Sequence, residues 1–372
     1  MGKRFKTILA VSAVVIIAGC SDINTLEDQA LAQVITYDLE ETNDGNIGKL
    51  KVTASIPLKN RRNDQRVITS ISKTSKGARM EFKSQTDLHF VKGQLRTVMF
   101  GKSLTKHGYT KYFDTLHRDP QVSPRTNVVI VNGNAAKLAA AKYDNKEATF
   151  ETIDRFIEKQ DMESILPNID IFQFMRDYYE EGIDPVAPVL IERKDFIDSD
   201  GVALFRDDNF ITQLDPSMTT IFLMLRKKIN NGQQNFEYPA PGHKTPEIVA
   251  LNILHSKRKI KVKETAANGK IHVQITLDVK GSIFEYIGEK TLDTKKNQQI
   301  LTNKMEKSIS KDAERIVAFT QEHNVDSLGI GKYVRNSMTY SDWKKLDWRK
   351  EYPNIKVTCS TNLEIRNYGL VD

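Results

Sequence analysis

The chain has 372 residues, 39% of them hydrophobic and 28% charged, enough for a sizeable buried core and, by length, two or three domains. Three of its seven net positive charges are Lys3, Arg4 and Lys6, so the rest carries only +4 with both signs interspersed, which excludes the charge balance of a nucleic-acid-binding protein. Two cysteines, Cys20 and Cys359, exclude a disulfide framework.

The first residues have the layout of a secretory leader: a basic start, an uncharged stretch over residues 7–18, then small residues before Cys20. That stretch is roughly a dozen residues, against the about 20 that a spanning helix needs, so a removable address is expected rather than a permanent span. Ile17-Ala18-Gly19-Cys20 resembles the lipobox of bacterial lipoproteins. The expectation is cleavage before Cys20, a diacylglyceryl thioether on its sulfur and, in many bacteria, acylation of its new amine. Two or more acyl chains hold a protein firmly, at about 0.8 kcal/mol per buried CH₂.

Beyond the leader (1–19), residues 20–197 are expected to form an α/β domain. Strands are predicted over 30–40 and 49–59 around the turn-prone Asn43-Asp44-Gly45-Asn46, then a helix over 77–90 and a strand over 97–100. A helix over 109–117 leads through Asp119-Pro120 into the β-branched strand 127–131, and Asn132-Gly133-Asn134 turns into an alanine-rich helix over 135–142. Residues 149–179 are helical and interrupted at Pro167.

Residues 198–372 form a C-terminal α+β region, taken either whole or as a small middle domain (198–247) before a C-terminal domain (248–372). Strands over 189–214 are joined by turns at Asp198-Ser199-Asp200-Gly201 and Asp207-Asp208-Asn209. A helix follows from Pro216 with Asp215 as N-cap, and 230–246 is a turn-rich connector. Ile271, Val273, Ile275, Leu277 and Val279 alternate with polar residues after an Asn268-Gly269 turn. A long amphipathic helix over 294–322 carries Leu301, Met305, Ile309, Ala313 and Ile316 on one face, so antiparallel strands packed on that helix are expected. A helical segment surrounds Val334 and Trp343. In the closing strand Ile355, Val357, Cys359, Leu363 and Ile365 share a face, making Cys359 a small core residue.

Chemical motifs fail on inspection. Gly101-Lys102-Ser103 has the tail of a phosphate-binding loop, but the glycine needed upstream is Arg96. His117-Arg118-Asp119 imitates a kinase catalytic loop, but Pro124 occupies the metal-binding position, and a helix end is expected instead. The seven histidines are scattered and there is no G-x-S-x-G elbow, so no metal, cofactor or catalytic residue is assigned. Asp207-Asp208 and Glu180-Glu181 are expected to be solvated turns or caps. Lys257, Lys259, Lys261 and Lys263 share one strand face. They are taken as solvent-facing residues that discourage edge pairing, with anionic head groups as the alternative.

A family resemblance is carried by Cys20-Ser21-Asp22, Leu26, Ala30-Leu31 and Asp38; by Thr97 to Leu104, Lys106-His107-Gly108 and Leu116-His117-Arg118-Asp119-Pro120; and by Val128 to Ala135 and Asp200 to Asp208. Asp326-Ser327-Leu328-Gly329-Ile330-Gly331, Trp343, Trp348 and Ile365-Arg366-Asn367-Tyr368-Gly369 complete it. Taken in this order, the motifs resemble the C-subunit lipoproteins of spore-germination nutrient receptors, the Ger(x)C family. Ser21 stands where the family commonly has tryptophan, and Tyr37 where it usually has glycine. The resemblance implies several mixed α/β domains in series, no catalytic centre, and a place on the outer face of the spore inner membrane. The implied partners are an A-type and a B-type membrane subunit. The competing expectation, a solute-binding lipoprotein of a transporter, calls for two similar lobes around a cleft.

Overall fold

The computed structural model describes residues 28–40, 49–58, 64–106, 108, 110–143, 148–194, 196–239, 246–264, 271–288 and 291–368. The chain enters through β1 (Gln29–Leu31) and β2 (Val34–Leu39) and returns antiparallel in β3 (Leu50–Pro57) and β4 (Gln65–Ser72). Helix α1 (Ser75–Ser84), N-capped by Thr74, leads to β5 (His89–Val91), which pairs with β1 in a two-stranded parallel sheet. Then come β6 (Thr97–Gly101), α2 (Lys102–Thr105), α3 (Thr110–His117), β7 (Asn127–Val131) and α4 (Ala135–Ala140). Helices α5 (Thr149–Met162) and α6 (Ile171–Tyr179) precede β8 (Val186–Glu192), and the hairpin of β9 (Ile197–Arg206) and β10 (Asn209–Leu214) closes the sheet.

Eight of these strands form one sheet in the order β10-β9-β8-β7-β6-β2-β3-β4. Its centre is parallel (β2, β6, β7, β8) and its flanks antiparallel. Central parallel strands are covered on both faces, which is why Val128-Val129-Ile130-Val131 is continuously apolar and buried. Val98, Phe100, Val128 and Ile130 face one core with Leu104, Phe113 and Phe174. Val34, Met99, Val129 and Val131 face the other with Leu138, Ile153 and Ile157. Tyr37, the departure from the family pattern, is accommodated in the first core, stacked on Phe100 at 5.2 Å with its hydroxyl 3.0 Å from Ser75 Oγ.

Helix α7 (Thr219–Arg226) is buried along its whole length from Thr219 to Leu225, as a helix between two layers must be. Beyond it β11 (Gly232–Tyr238), β12 (Glu247–Glu264) and β13 (His272–Ile287) run antiparallel. The long helix α8 (Lys295–Glu322) buries the predicted stripe Leu301, Met305, Ile309, Ala313 and Ile316 against them. Three short helices follow, α9 (Ile330–Asn336), α10 (Tyr340–Lys345) and α11 (Trp348–Glu351), before β14 (Lys356–Ile365). Because α8 and the short helices carry the chain back across the sheet, β14 pairs parallel to β13.

The mixed α/β class and the antiparallel strands on a long helix are as expected; several local expectations are not. Residues 65–72 form a strand the sequence hides, since Val67 and Ile71 point outward while Ser70 points inward to Glu81, 2.5 Å away. The expected connector 230–246 contains β11, an edge strand with few apolar residues. The expected turn at 198–201 lies within β9, where Asp200 accepts from Asn132 and Gln213 side chains, each at 2.8 Å. β9, which begins at Ile197, and β10 lie within the eight-stranded sheet. The turns expected around Gly45 and Gly269 lie outside the described residues.

The helices after β6 and β7 pack on opposite faces, so the crevice at the carboxyl ends of these strands is where a doubly wound sheet receives its ligands. Here the chain fills it. Buried Asp38 accepts the N–H groups of Ala135 (2.8 Å) and Ala136 (2.9 Å) at the start of α4. A Cβ on Gly101 would lie 2.4 Å from Asp38 Oδ1, so this glycine makes room for a carboxylate of the chain itself. Lys102 is engaged with Gln213 at 2.8 Å. Asp38→Ala strands those two N–H donors and is expected to lower unfolding stability by about 1–3 kcal/mol, read as an earlier urea midpoint.

Candidate functional site

The second place where polar groups converge is the junction between the sheets. Residues 180–184 run from α6 into β8, residues 323–329 run from α8 into α9, and the two segments touch. Asp184 N–H donates to Asp326 O at 2.9 Å, and Lys332 N–H to Gly182 O at 3.0 Å. Two glycines permit this approach. A Cβ on Gly182, where φ is +87°, would lie 2.5 Å from the carbonyl carbon of Gly331, and a Cβ on Gly331 would lie 2.7 Å from Gly182 Cα.

Above this contact Asp326, 3% exposed, acts as a hub. Its carboxylate accepts from Ile330 N–H (2.9 Å), Gly331 N–H (2.6 Å) and Trp348 Nε1 (3.1 Å), and its own N–H donates to Asp184 Oδ2 at 2.6 Å. Arg349 bridges Asp184 (3.7 Å) and Asp207 (2.6 Å), the latter at the β9–β10 turn. Glu180 receives Lys332 (2.8 Å) and Arg335 (3.1 Å). Glu181 receives Trp343 Nε1 (2.7 Å) and Lys344. Deeper in, Arg226 joins the buried Asp177 to Ser327 O, and Arg258 reaches Leu225 O and Leu328 O.

These groups border a pocket of about 400 Å³ walled by Tyr178, Tyr179, Trp343, Trp348 and Tyr352. Burial pushes the carboxyl of Asp184 up to about 6, against the opposing pull of Arg349. Burial also pushes that of Asp326 up to about 7, with the nearby Asp184 adding to the rise and the N–H groups of Gly331 and Ile330 opposing it. The Lys344 ammonium and the Trp343 N–H hold Glu181 below the usual range. Each of these carboxylates is bonded to a donor or cation of the chain, so the arrangement is a clasp between the two sheets with a proton-binding pair at its centre.

Glu180, Glu181 and Asp207 lie at bends and turns as expected, with Glu181 and Asp207 exposed, but each is also paired across the junction. Their partners lie 142 to 163 residues away, and no local pattern points to such pairings. Asp208, half-buried at the same turn, accepts from the side chain of its neighbour Asn209. His117 ends α3, and Asp119 beyond it receives Lys92 at 3.2 Å. Cys359 is half-buried with its thiol pushed up to about 12 by burial, which makes it unreactive. Among the described residues no group of three or more His, Cys, Asp or Glu side chains is placed to hold a metal. Ile17, Ala18, Gly19 and Cys20 lie outside the described residues.

A family model described as "Spore germination protein N-terminal domain" matches residues 22–192, and one described as "Spore germination B3/ GerAC like, C-terminal" matches residues 200–369. "Spore germination protein GerQC" of Bacillus cereus is 23% identical over 374 residues, covering 100% of both chains. YfkR of Bacillus subtilis (strain 168) is 23% identical over 393 residues, covering 99% of this chain and 97% of its own. The crystal structure of the GerBC protein superposes with a TM-score of 0.58 at 17% identity, over 91% of this chain and 99% of that one, a likeness of fold. The two family models meet between residues 192 and 200, whereas the eight-stranded sheet runs on through β10.

Two outcomes test the clasp. Gly182→Ala forces a side chain into Gly331 at a positive φ and is expected to cost about 1–3 kcal/mol in a denaturant titration. Asp184 and Asp326 hold protons to higher pH when folded than the ordinary 3.8, so their contribution to stability is complete below about pH 4 and is lost as pH rises through about 6 and 7. Asp326→Asn cannot titrate, so its melting temperature should fall less than that of the parent between pH 5 and 7.5; parallel curves would remove the linkage.

Proposed function

The chain belongs to the Ger(x)C family of spore germination proteins, and from that premise we propose that it is the lipid-anchored C-type subunit of a germinant receptor, acting by contact rather than catalysis. One observation carries this reading. The two family models cover residues 22–192 and 200–369, beginning two residues after Cys20 of Ile17-Ala18-Gly19-Cys20, which supports a leader (1–19) followed at once by receptor body. Cys20 then carries the diacylglyceryl thioether and an acylated amine.

Among the described residues no helix is long and apolar enough to cross a membrane. The place that follows is the outer face of the spore inner membrane, beside an A-type and a B-type membrane subunit. Tethering confines the body to a layer next to these partners and raises its effective concentration there, so a modest interface suffices. The clasp supports a contact role, since its acidic groups are bonded within the chain. A transporter's solute-binding lipoprotein would have two similar lobes, whereas here an eight-stranded mixed sheet is joined to an unlike four-stranded one.

The test is fractionation of spores. Parent protein should stay with the inner membrane until detergent is added and should co-purify with A- and B-type subunits. Cys20→Ala should appear in the soluble fraction and impair nutrient germination. Unchanged membrane retention would overturn the anchoring, and absence of both subunits from the purified material would overturn the receptor assignment.

A further inference from the structure

The two edges of the four-stranded sheet are finished differently. On the β14 side, α8 covers the edge with its own carboxylates: Glu314 accepts Cys359 N–H at 3.3 Å and Glu306 accepts Leu363 N–H at 2.8 Å, with Ser310 bonded to the Thr361 hydroxyl between them. The β12 side is covered for only half its length. β11 pairs with residues 247–253, and a single bridge between Ile229 and Ser256 ends the cover. Among the described residues no strand pairs with this side of β12 beyond Ser256.

The direction of the uncovered groups follows from the ladder. Ser256 spends both its N–H and its C=O outward on Ile229, and outward positions recur every second residue of an antiparallel strand. No register shift falls between 256 and 262. The N–H and C=O groups of Arg258, Ile260 and Val262 therefore point away from β13, to the side on which no strand pairs among the described residues. The Arg258 side chain, bonded to Leu225 O and Leu328 O, fixes the start of this free stretch.

The side chains add selectivity. Lys257, Lys259, Lys261 and Lys263 are exposed on one sheet face, while Ile260 and Val262 are half-buried on the other. Lys259 pairs with Asp278 at 2.6 Å; Lys261 and Lys263 have no carboxylate within ion-pair distance among the described residues. Residues paired across a sheet project to the same face. A strand added here would place every second side chain among lysines and the alternate ones beside Ile260 and Val262. The lysines repel a second copy of this edge, which blocks self-pairing, and attract a strand of opposite charge.

We propose that the free half of β12, residues 257–263, is a docking edge that takes an extended strand of a partner protein in which carboxylates alternate with apolar residues. Main-chain bonds would supply the pairing and the lysines its selectivity. The proposal concerns the folded body and stands apart from the anchoring at Cys20.

The test uses the full chain in detergent and a labelled, end-capped nonapeptide of alternating glutamate and valine, followed by fluorescence anisotropy. Saturable binding is expected. A peptide of equal charge with proline in place of alternate valines keeps the attraction but cannot donate the bonds, and should bind about tenfold or more weakly. Lys261→Glu with Lys263→Glu should weaken the parent peptide by a similar factor at unchanged melting temperature. Ile260→Pro, which removes an outward N–H and leaves β13 pairing intact, should do the same. Equal binding of the proline peptide, or undiminished binding by the lysine variants, would overturn the proposal. So would an absence of peptide binding together with a loss of affinity for phosphatidylglycerol vesicles in the lysine variants, which would assign the stripe to a lipid surface.

Discussion

The junction rests on one buried carboxylate. Moving an ionised carboxylate from water into a protein interior costs several kcal/mol unless its oxygens are met by donors. Asp326 meets part of that demand with the N–H groups of Ile330 and Gly331 and the indole of Trp348, the unmet part raising its carboxyl to about 7, while its own N–H is taken by Asp184. The donors belong to two of the short helices after α8 and the acceptor Asp184 to the strap before β8, so satisfying one aspartate fixes the first sheet against the C-terminal helices. The Gly182–Gly331 contact is the steric counterpart: the donors reach Asp326 because no Cβ keeps the two backbones apart.

The same device recurs where a related architecture would leave room for a guest. At the switch point between β6 and β7, Asp38 takes the helix-terminal N–H groups that a phosphate would otherwise seek. At the junction, the acidic side chains are matched to cations and indoles of the chain. Along β14, Glu306 and Glu314 close a strand edge. Each of these carboxylates is satisfied from within the chain rather than by an external ligand. The free half of β12 stands out against this pattern.

How much of this was legible in the sequence depended on how far apart the interacting residues lie. The stripe Leu301–Met305–Ile309–Ala313–Ile316 repeats within one helix, and the run Val128 to Val131 declares a strand buried on both faces; both need only neighbouring residues to be recognised. The strands β4 and β11 lie at sheet edges, where one side is wet and the alternation is broken by Ser70 and by the Gln233-Gln234-Asn235 run, so periodicity fails. Glu180, Glu181 and Asp207 are legible as turn residues, but their pairing is not, because their partners Lys332, Lys344 and Arg349 lie 142 to 163 residues away. Gly101-Lys102-Ser103 looked like a fragment of a phosphate loop because a glycine beside a carboxylate and a glycine beside a phosphate meet the same steric need.

Anchoring and docking then divide the work between two kinds of interaction. On the proposed reading, a lipid on Cys20 would supply affinity for the membrane without selecting a neighbour, since acyl chains distinguish only apolar from aqueous surroundings. An edge strand supplies selection with little area, because three outward residues offer only a few main-chain bonds, each worth about 0.5–1.5 kcal/mol net. Neither is sufficient alone for a stable, specific assembly. Together they are, because confinement to the membrane surface removes much of the entropy that a weak edge contact would otherwise have to overcome. Such a division would call for a firm clasp around Asp326, since an edge presented by a loosely hinged second sheet would lose to conformational freedom what a tether saves.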